Sequence, residues 1–290
     1  MISTVYLHPD RTLRATWSVD ADNITLTSFD DNAMLEQSVG ESFGDGLMND
    51  TSNAAHTNGA SAITTVVLHT SQVYFHRYPV DADEDHNRRR FFEIITCLPP
   101  LAPEDRIIEV PMPGELHGSA WHGLLVIPQT HVPDGYAIDD VRVDILEDIR
   151  AARIADLLAD EGITLLVGQR GDVWWCAVLD TSGTIQHLVQ TPVHPAFETS
   201  VEIRDLVLEV SGSTKSRAER VIVFGDSLTK AILDDVTIAL DGLTTSVVRM
   251  QPFRTLRADV DAATQQRCVR LAHMLGPLVG PLPCASLQES

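Results

Sequence analysis

"VIVFGDSLTK" spans residues 221–230, and how it is read decides the fold. A run of β-branched and aromatic residues ends at Gly225 and leads into "SLTKAILDDVTIAL", which has helical spacing. The order is a buried strand, a tight turn and a helix. Gly225 permits the turn, and Asp226 or Ser227 is placed to cap the helix that follows.

Working outward, "TSVVRM" (245–250) reads as a strand and "DVDAATQQRCVRLAHMLGPLV" (259–279) as a closing helix. Upstream, "ITLLVGQRGDVWWCAVLDTSGTIQHLVQTP" (163–192) makes three strands hinged at Gly168–Gly171 and at Asp180–Gly183, and a helix follows over about 195–212. The N-terminal half repeats this plan. "TVYLHPDRTLRATWSVDADNITLTSFD" (4–30) gives a three-stranded meander, and the polar stretch 38–62 reads as a long surface loop or a weak helix. "ITTVVLHTSQVYFHRYPV" (63–80) resumes β structure with a hairpin turn near Thr70-Ser71. The acidic turn "DADEDHN" (81–87) precedes a helix in "RRRFFEIITCL" (88–98), which Pro99-Pro100 stops. Two more strands, "DRIIEVPMP" and "SAWHGLLVIPQTHV", lead to "DVRVDI" and then to the most regular helical segment, "LEDIRAARIADLLADEG" (146–162). Each half therefore runs hairpin-linked strands first and alternating helices and strands second. The expected division is 1–140 and 141–290.

That duplicated α/β order resembles the actin-like proteins of bacterial pilus assembly and secretion, the PilM type. The resemblance implies a two-lobed, duplicated ribonuclease H-like fold, with "DVRVDILEDIRAARIADLL" crossing from the first lobe to the second. "LLVGQRGDVWWCAVLDTSGTIQ" falls where such proteins place their second phosphate hairpin, and "VIVFGDSLTKAILDDVTIAL" where they place the turn against adenosine. Nucleotide-binding members carry Asp-x-Gly turns whose backbone amides cradle phosphates while the aspartate positions Mg²⁺ through water. Here the first hairpin reads "HPDRTLRA", with Pro9 and Arg11 and no glycine, and the second reads "GQRGDVWW". The adenosine turn has Gly225-Asp226-Ser227 in place of a glycine pair, and Asp226 brings negative charge towards phosphate. If ATP binds, its contacts are Gly168, Gly171, Asp172, Gly225, Asp226 and Ser227. The rewritten turns point instead to a non-catalytic scaffold without cofactor, with a protein partner and with the oligomeric state left open.

A second resemblance competes for the same letters, because Gly-Asp-Ser-Leu is also the nucleophile block of SGNH esterases. That chemistry needs a downstream Asp-x-x-His pair and oxyanion donors. Only His273 follows Ser227, with Arg270 three residues before it, so helix capping is the expected role.

Composition narrows the partners. The 290 residues carry 41 acidic against 21 basic groups, a formal charge of −20, which repels nucleic acid and anionic lipid. Nineteen of the basic residues are arginine, a bias that fits either a salty cytoplasm or a GC-rich genome. The N-terminus lacks a signal-peptide pattern, and no apolar run reaches the ~20 residues of a membrane span. A cytoplasmic protein is expected. Cys97, Cys176, Cys268 and Cys284 have no CxxC spacing, and Cys97 and Cys176 read as buried thiols. The eleven histidines include no HExxH helix, so no metal is expected. Trp174 and Trp175 alternate faces of one strand, which makes one of them either core or an interface residue. Arg88–Arg90, if not simply balanced by the adjacent acids, could grip an acidic partner segment.

Overall fold

The computed structural model describes residues 1–20, 23–33, 63–97, 101–116, 118–194, 196–214, 217–226 and 228–283. The stretch 38–62, with most of the connection after the third strand, lies outside them, as do Ser227 and Cys284.

Three antiparallel strands open the chain: β1 (Ile2–His8), β2 (Arg11–Asp20) and β3 (Asn23–Ala33). β4 (Ile63–Leu68) joins parallel to β1, and β8 (Val141–Val143) joins parallel to β4. In the second half, β9 (Ile163–Arg170), β10 (Val173–Leu179) and β11 (Ile185–Pro192) are antiparallel. β12 (Ala218–Gly225) and then β13 (Thr244–Arg249) add parallel to β9. The sheet orders β3-β2-β1-β4-β8 and β11-β10-β9-β12-β13 are the same pattern twice. This is the duplication expected from the order of elements.

Sheet membership does not follow the 140/141 division. β14 (Arg257–Ala258) pairs with the outer edge of β3. The C-terminal helices also return to the first sheet, where Leu275, Leu278, Val279 and Leu282 pack with Tyr6, Leu13 and Trp17.

A third, smaller sheet of order β5-β7-β6 is inserted between β4 and β8. It comprises β5 (Tyr74–Val80), β6 (Arg106–Leu116) and β7 (Ser119–Ile127). This overturns the expected hairpin at Thr70-Ser71. β4 and β5 lie in different sheets, and a 3-10 turn at Thr70–Gln72, capped by His69, redirects the chain between them. α1 (Glu84–Cys97) begins inside the acidic run, where the Asp83 carboxylate accepts from the Asp85 and His86 amides. The acids so occupy the positive end of the helix dipole and Arg88–Arg90 fall in its second turn. Cys97 is exposed, contrary to expectation, because α1 buries no residue at all.

α2 (Asp144–Ile154) crosses between the halves. α3 (Thr199–Thr214) lays Ile203, Leu206, Val207 and Val210 on the second sheet, three to four residues apart as one helical stripe requires. α4 (Lys230–Ala239) packs beside it through Val236, and α5 (Ala262–Leu271) and α6 (Gly276–Val279) close the chain. Both tryptophans are core: Trp175 meets Phe75 edge-on, while Trp174 packs beneath α3 and donates to Glu202 at 2.9 Å. A helix covers one side of β10 and the inserted sheet the other, so neither ring reaches solvent. Among the described residues no helix is long and apolar enough to cross a membrane.

Candidate functional site

The duplicated topology brings three turns to one place: the end of β1, the β9–β10 turn and the end of β12. β12 runs parallel to β9, with Gly225 opposite Gln169, and the Asp226 amide donates to the Gln169 carbonyl at 3.1 Å. Gly225 has φ +120°, and a Cβ there would stand 2.3 Å from the Gln169 carbonyl oxygen. Gly168 lies under the Phe224 ring, and Gly171 turns the chain with φ +58°. Asp172 is exposed, its carbonyl accepting from Val193. Of the six residues expected from the sequence, Gly168, Gly171, Gly225 and Asp226 therefore converge. Asp172 stays exposed, and Ser227 is not among the described residues.

Asp226 is not a helix cap. Thr229 caps α4, accepting from the Ile232 amide at 3.2 Å. The Asp226 carboxylate instead turns inward among donors. Its Oδ1 accepts from Arg170 Nη1 at 2.7 Å, and its Oδ2 accepts from the Gly171 amide at 3.1 Å. Nε2 of His8 lies 3.3 Å from the same Oδ2, and Nε2 of His69 lies 3.4 Å from it. Both histidine rings are held from behind. The Asp10 amide donates to Nδ1 of His8 at 3.2 Å, and the Ser71 amide donates to Nδ1 of His69 at 3.1 Å. A ring nitrogen that accepts carries the lone pair, so the tautomer that fits these amide contacts has its proton on Nε2, aimed at the carboxylate, with the Ser71 hydroxyl 2.8 Å from Nδ1 of His69.

Arg170 is the hub. It is fully buried, with its guanidinium carbon 5.6 Å from the Tyr6 ring centre and 5.3 Å from that of Phe224. Besides Asp226 it grips Asp148 through Nη2 at 2.8 and 2.9 Å and through Nε at 3.2 Å, and its Nε lies 3.9 Å from Asp144. Asp144 and Asp148 stand four apart on α2, which places both on one face. Asp144 also accepts from the Tyr6 hydroxyl and the Thr70 amide, each at 3.1 Å. No residue of this support was expected from the sequence. The available signal was the buried i, i+4 acid pair in "DILED" together with the single arginine of "GQRGD".

Three carboxylates facing one guanidinium leave excess negative charge, and Asp226 and Asp148 are shifted in opposite directions. Burial opposes the charge on Asp226, but Arg170 and the hydrogen bonds from His69 and His8 outweigh it and hold that carboxyl well below the usual range. At Asp148 burial wins over the attraction of Arg170, and the carboxyl is pushed up to about 8. A folded pKa raised above the unfolded value of roughly 3.9 stabilises fully below that value and is lost as pH rises through the folded one. Burial, with Arg249 nearby, pushes His273 down to about 4, the opposite sign, but its effect is confined to pH below roughly 6.5. We therefore expect the urea-unfolding free energy to fall by about 1–2 kcal/mol between pH 6.5 and 8. Asp148→Asn removes that slope; an equal slope in the variant would assign it to another group.

Among the described residues His8, His69 and Asp226 also place ligand atoms within 4.8 Å of one another, a spacing that a metal ion could use. Their hydrogen bonding argues otherwise. A metal-bound histidine donates its outer N–H to an acceptor, whereas both outer nitrogens here accept from backbone amides. The arrangement is a set of N–H donors around an anion. The esterase alternative also loses its histidine: His273 is buried against Arg249.

No protein-family model and no curated protein matches the chain. Solved structures do. The PilM component of a "PilM-PilN type IV pilus biogenesis complex" superposes with TM-score 0.61 at 10% identity, over 98% of this chain and 97% of that one. A Bacteroides thetaiotaomicron protein with an actin-like ATPase fold and unknown function superposes with TM-score 0.51 at 12% identity, over 92% and 95% of the two chains. With the repeated sheet order, these matches show what the architecture is: the chain has the two-lobed actin-like fold.

Proposed function

We propose that this protein is a non-catalytic actin-like scaffold that engages a protein partner in the cytoplasm, in a pilus, secretion or related envelope assembly. The carrying observation is the Arg170–Asp226 pair. It ties the three turns together and sets a carboxylate where an incoming phosphate would meet repulsion. The PilM likeness supports the choice of assembly, since that protein is solved as a complex with PilN. α1 supports the partner: it buries no residue, leaves Phe92 59% exposed, and carries Arg88–Arg90 on an otherwise acidic protein.

The competing reading is an ATP-binding protein, favoured by the convergence of Gly168, Gly171 and Gly225. Thermal melting with Mg-ATP separates the two, because a ligand bound at 100 times its dissociation constant adds roughly 2.7 kcal/mol of stability. We expect no rise in melting temperature at millimolar Mg-ATP; a concentration-dependent rise would overturn the scaffold reading. Co-expression with the products of adjacent genes, followed by size-exclusion chromatography, tests the partner: a complex of defined stoichiometry is expected.

A further inference from the structure

We infer that the donors around Asp226 form an oxyanion site whose resident anion is the protein's own carboxylate. Four groups from three parts of the chain face one carboxylate: Arg170 on Oδ1, and the adjacent Gly171 amide, His8 and His69 on Oδ2. Nothing in β12 itself requires them. The Asp10 and Ser71 amides fix the proton of each imidazole on its inner nitrogen, so the donor set is built in advance. Arg170 is in turn oriented by Asp148, and both are fully buried. Such a set, with one guanidinium, one backbone amide beside a left-handed glycine and two imidazole N–H groups, is complementary to a tetrahedral oxyanion of the phosphate class. Asp226 meets it with two oxygens and, being tethered, outcompetes any free anion at ordinary concentration. The carboxylate also joins the lobes, since His8 and His69 stand at the ends of β1 and β4 of the first sheet, and Arg170 and Asp226 at the ends of β9 and β12 of the second. Asp226 is therefore an internal clasp, and removing it exposes a vacant anion site. This inference shares the Arg170–Asp226 pair with the scaffold reading but asks a different question of it, namely what the donors accept once the carboxylate is gone, so the two are tested by different ligands.

The test uses Asp226→Gly, which creates a Gly-Gly turn, and Asp226→Ala, each melted against inorganic phosphate beside the wild type. Both variants should melt below the wild type and then regain stability with phosphate, by roughly 5 °C at 100 times its dissociation constant. The wild type should gain no more from phosphate than from potassium chloride at equal ionic strength. A folded variant that gains no more from phosphate than the wild type does overturns the inference, and so does a wild type that gains as much as the variants. Should neither variant fold, the wild type still decides through the ¹⁵N shifts of the His8 and His69 rings. Protonation at Nε2 with an unprotonated Nδ1 is expected in both, and the reverse tautomer in either ring dismantles the donor set. ATP stabilisation of the wild type would sink the scaffold reading and leave the cradle standing; phosphate indifference of the variants does the converse.

Discussion

Arg170→Met lowers the unfolding free energy by about 3–5 kcal/mol, equivalent to a fall in melting temperature of roughly 10 °C. The residue is fully buried and, among the described residues, makes the side-chain hydrogen bonds that reach Asp148, so its loss strands that buried carboxyl. It also removes the shortest of the contacts to Asp226, which joins the turns of the second lobe to the histidines of the first. Methionine keeps most of the volume between Tyr6 and Phe224, so the effect reports charge rather than a cavity. Adding Asp148→Leu should restore part of the loss, because a buried hydrogen-bonded polar pair replaced on both sides costs far less than one broken on one side. A single-variant loss below about 1 kcal/mol in urea unfolding would mean that the network is ornamental to stability.

Gly225→Ala is the second large effect, at about 3 kcal/mol or more, summing backbone strain at positive φ and overpacking. A Cβ at that position would lie 2.3 Å from the carbonyl oxygen and 2.7 Å from the amide nitrogen of Gln169. Those are backbone atoms of the paired strand and cannot rotate away. The strand end must separate from β9, which carries Asp226 off Arg170 and Gly171. Gly242 is the control: it too has positive φ, but open space surrounds it, so Gly242→Ala isolates the strain. Equal losses at the two positions, measured by thermal or urea unfolding, would exclude the close approach as the cause.

Much of the fold could be read without coordinates because its signals are local. Strand runs such as "VIVF" and "VWWCAVL", punctuated by Gly171, Gly183 and Gly225, mark elements wherever they occur in a chain. Their repeated order then brings the topology with it. The error at Thr70-Ser71 has a physical origin. A hairpin and a 3-10 turn between two sheets use similar polar residues, and only the partners of β4 and β5 distinguish them. Cys97 is exposed for a related reason: an apolar neighbourhood in sequence does not bury a helix that packs so little against the rest of the molecule.

The candidate site was half legible. Glycines announce turns, so Gly168, Gly171 and Gly225 could be picked out one by one. The histidines could not, since His69 and Asp226 lie 157 residues apart and meet only when two sheets align their strand ends. Asp226 shows the limit most plainly. Locally it is a good helix cap, but Thr229 sits at the capping distance from the Ile232 amide, which frees the aspartate for Arg170.

From its residues alone, this chain settled a duplicated α/β plan, a strong net negative charge and the glycine turns at Gly168, Gly171 and Gly225. Tertiary structure alone decided that those turns hold one another, and that the charge at their meeting point is the protein's own. Periodicity and turn chemistry act over a few residues, whereas a buried carboxylate takes its meaning from whichever donors the folded lobes deliver to it.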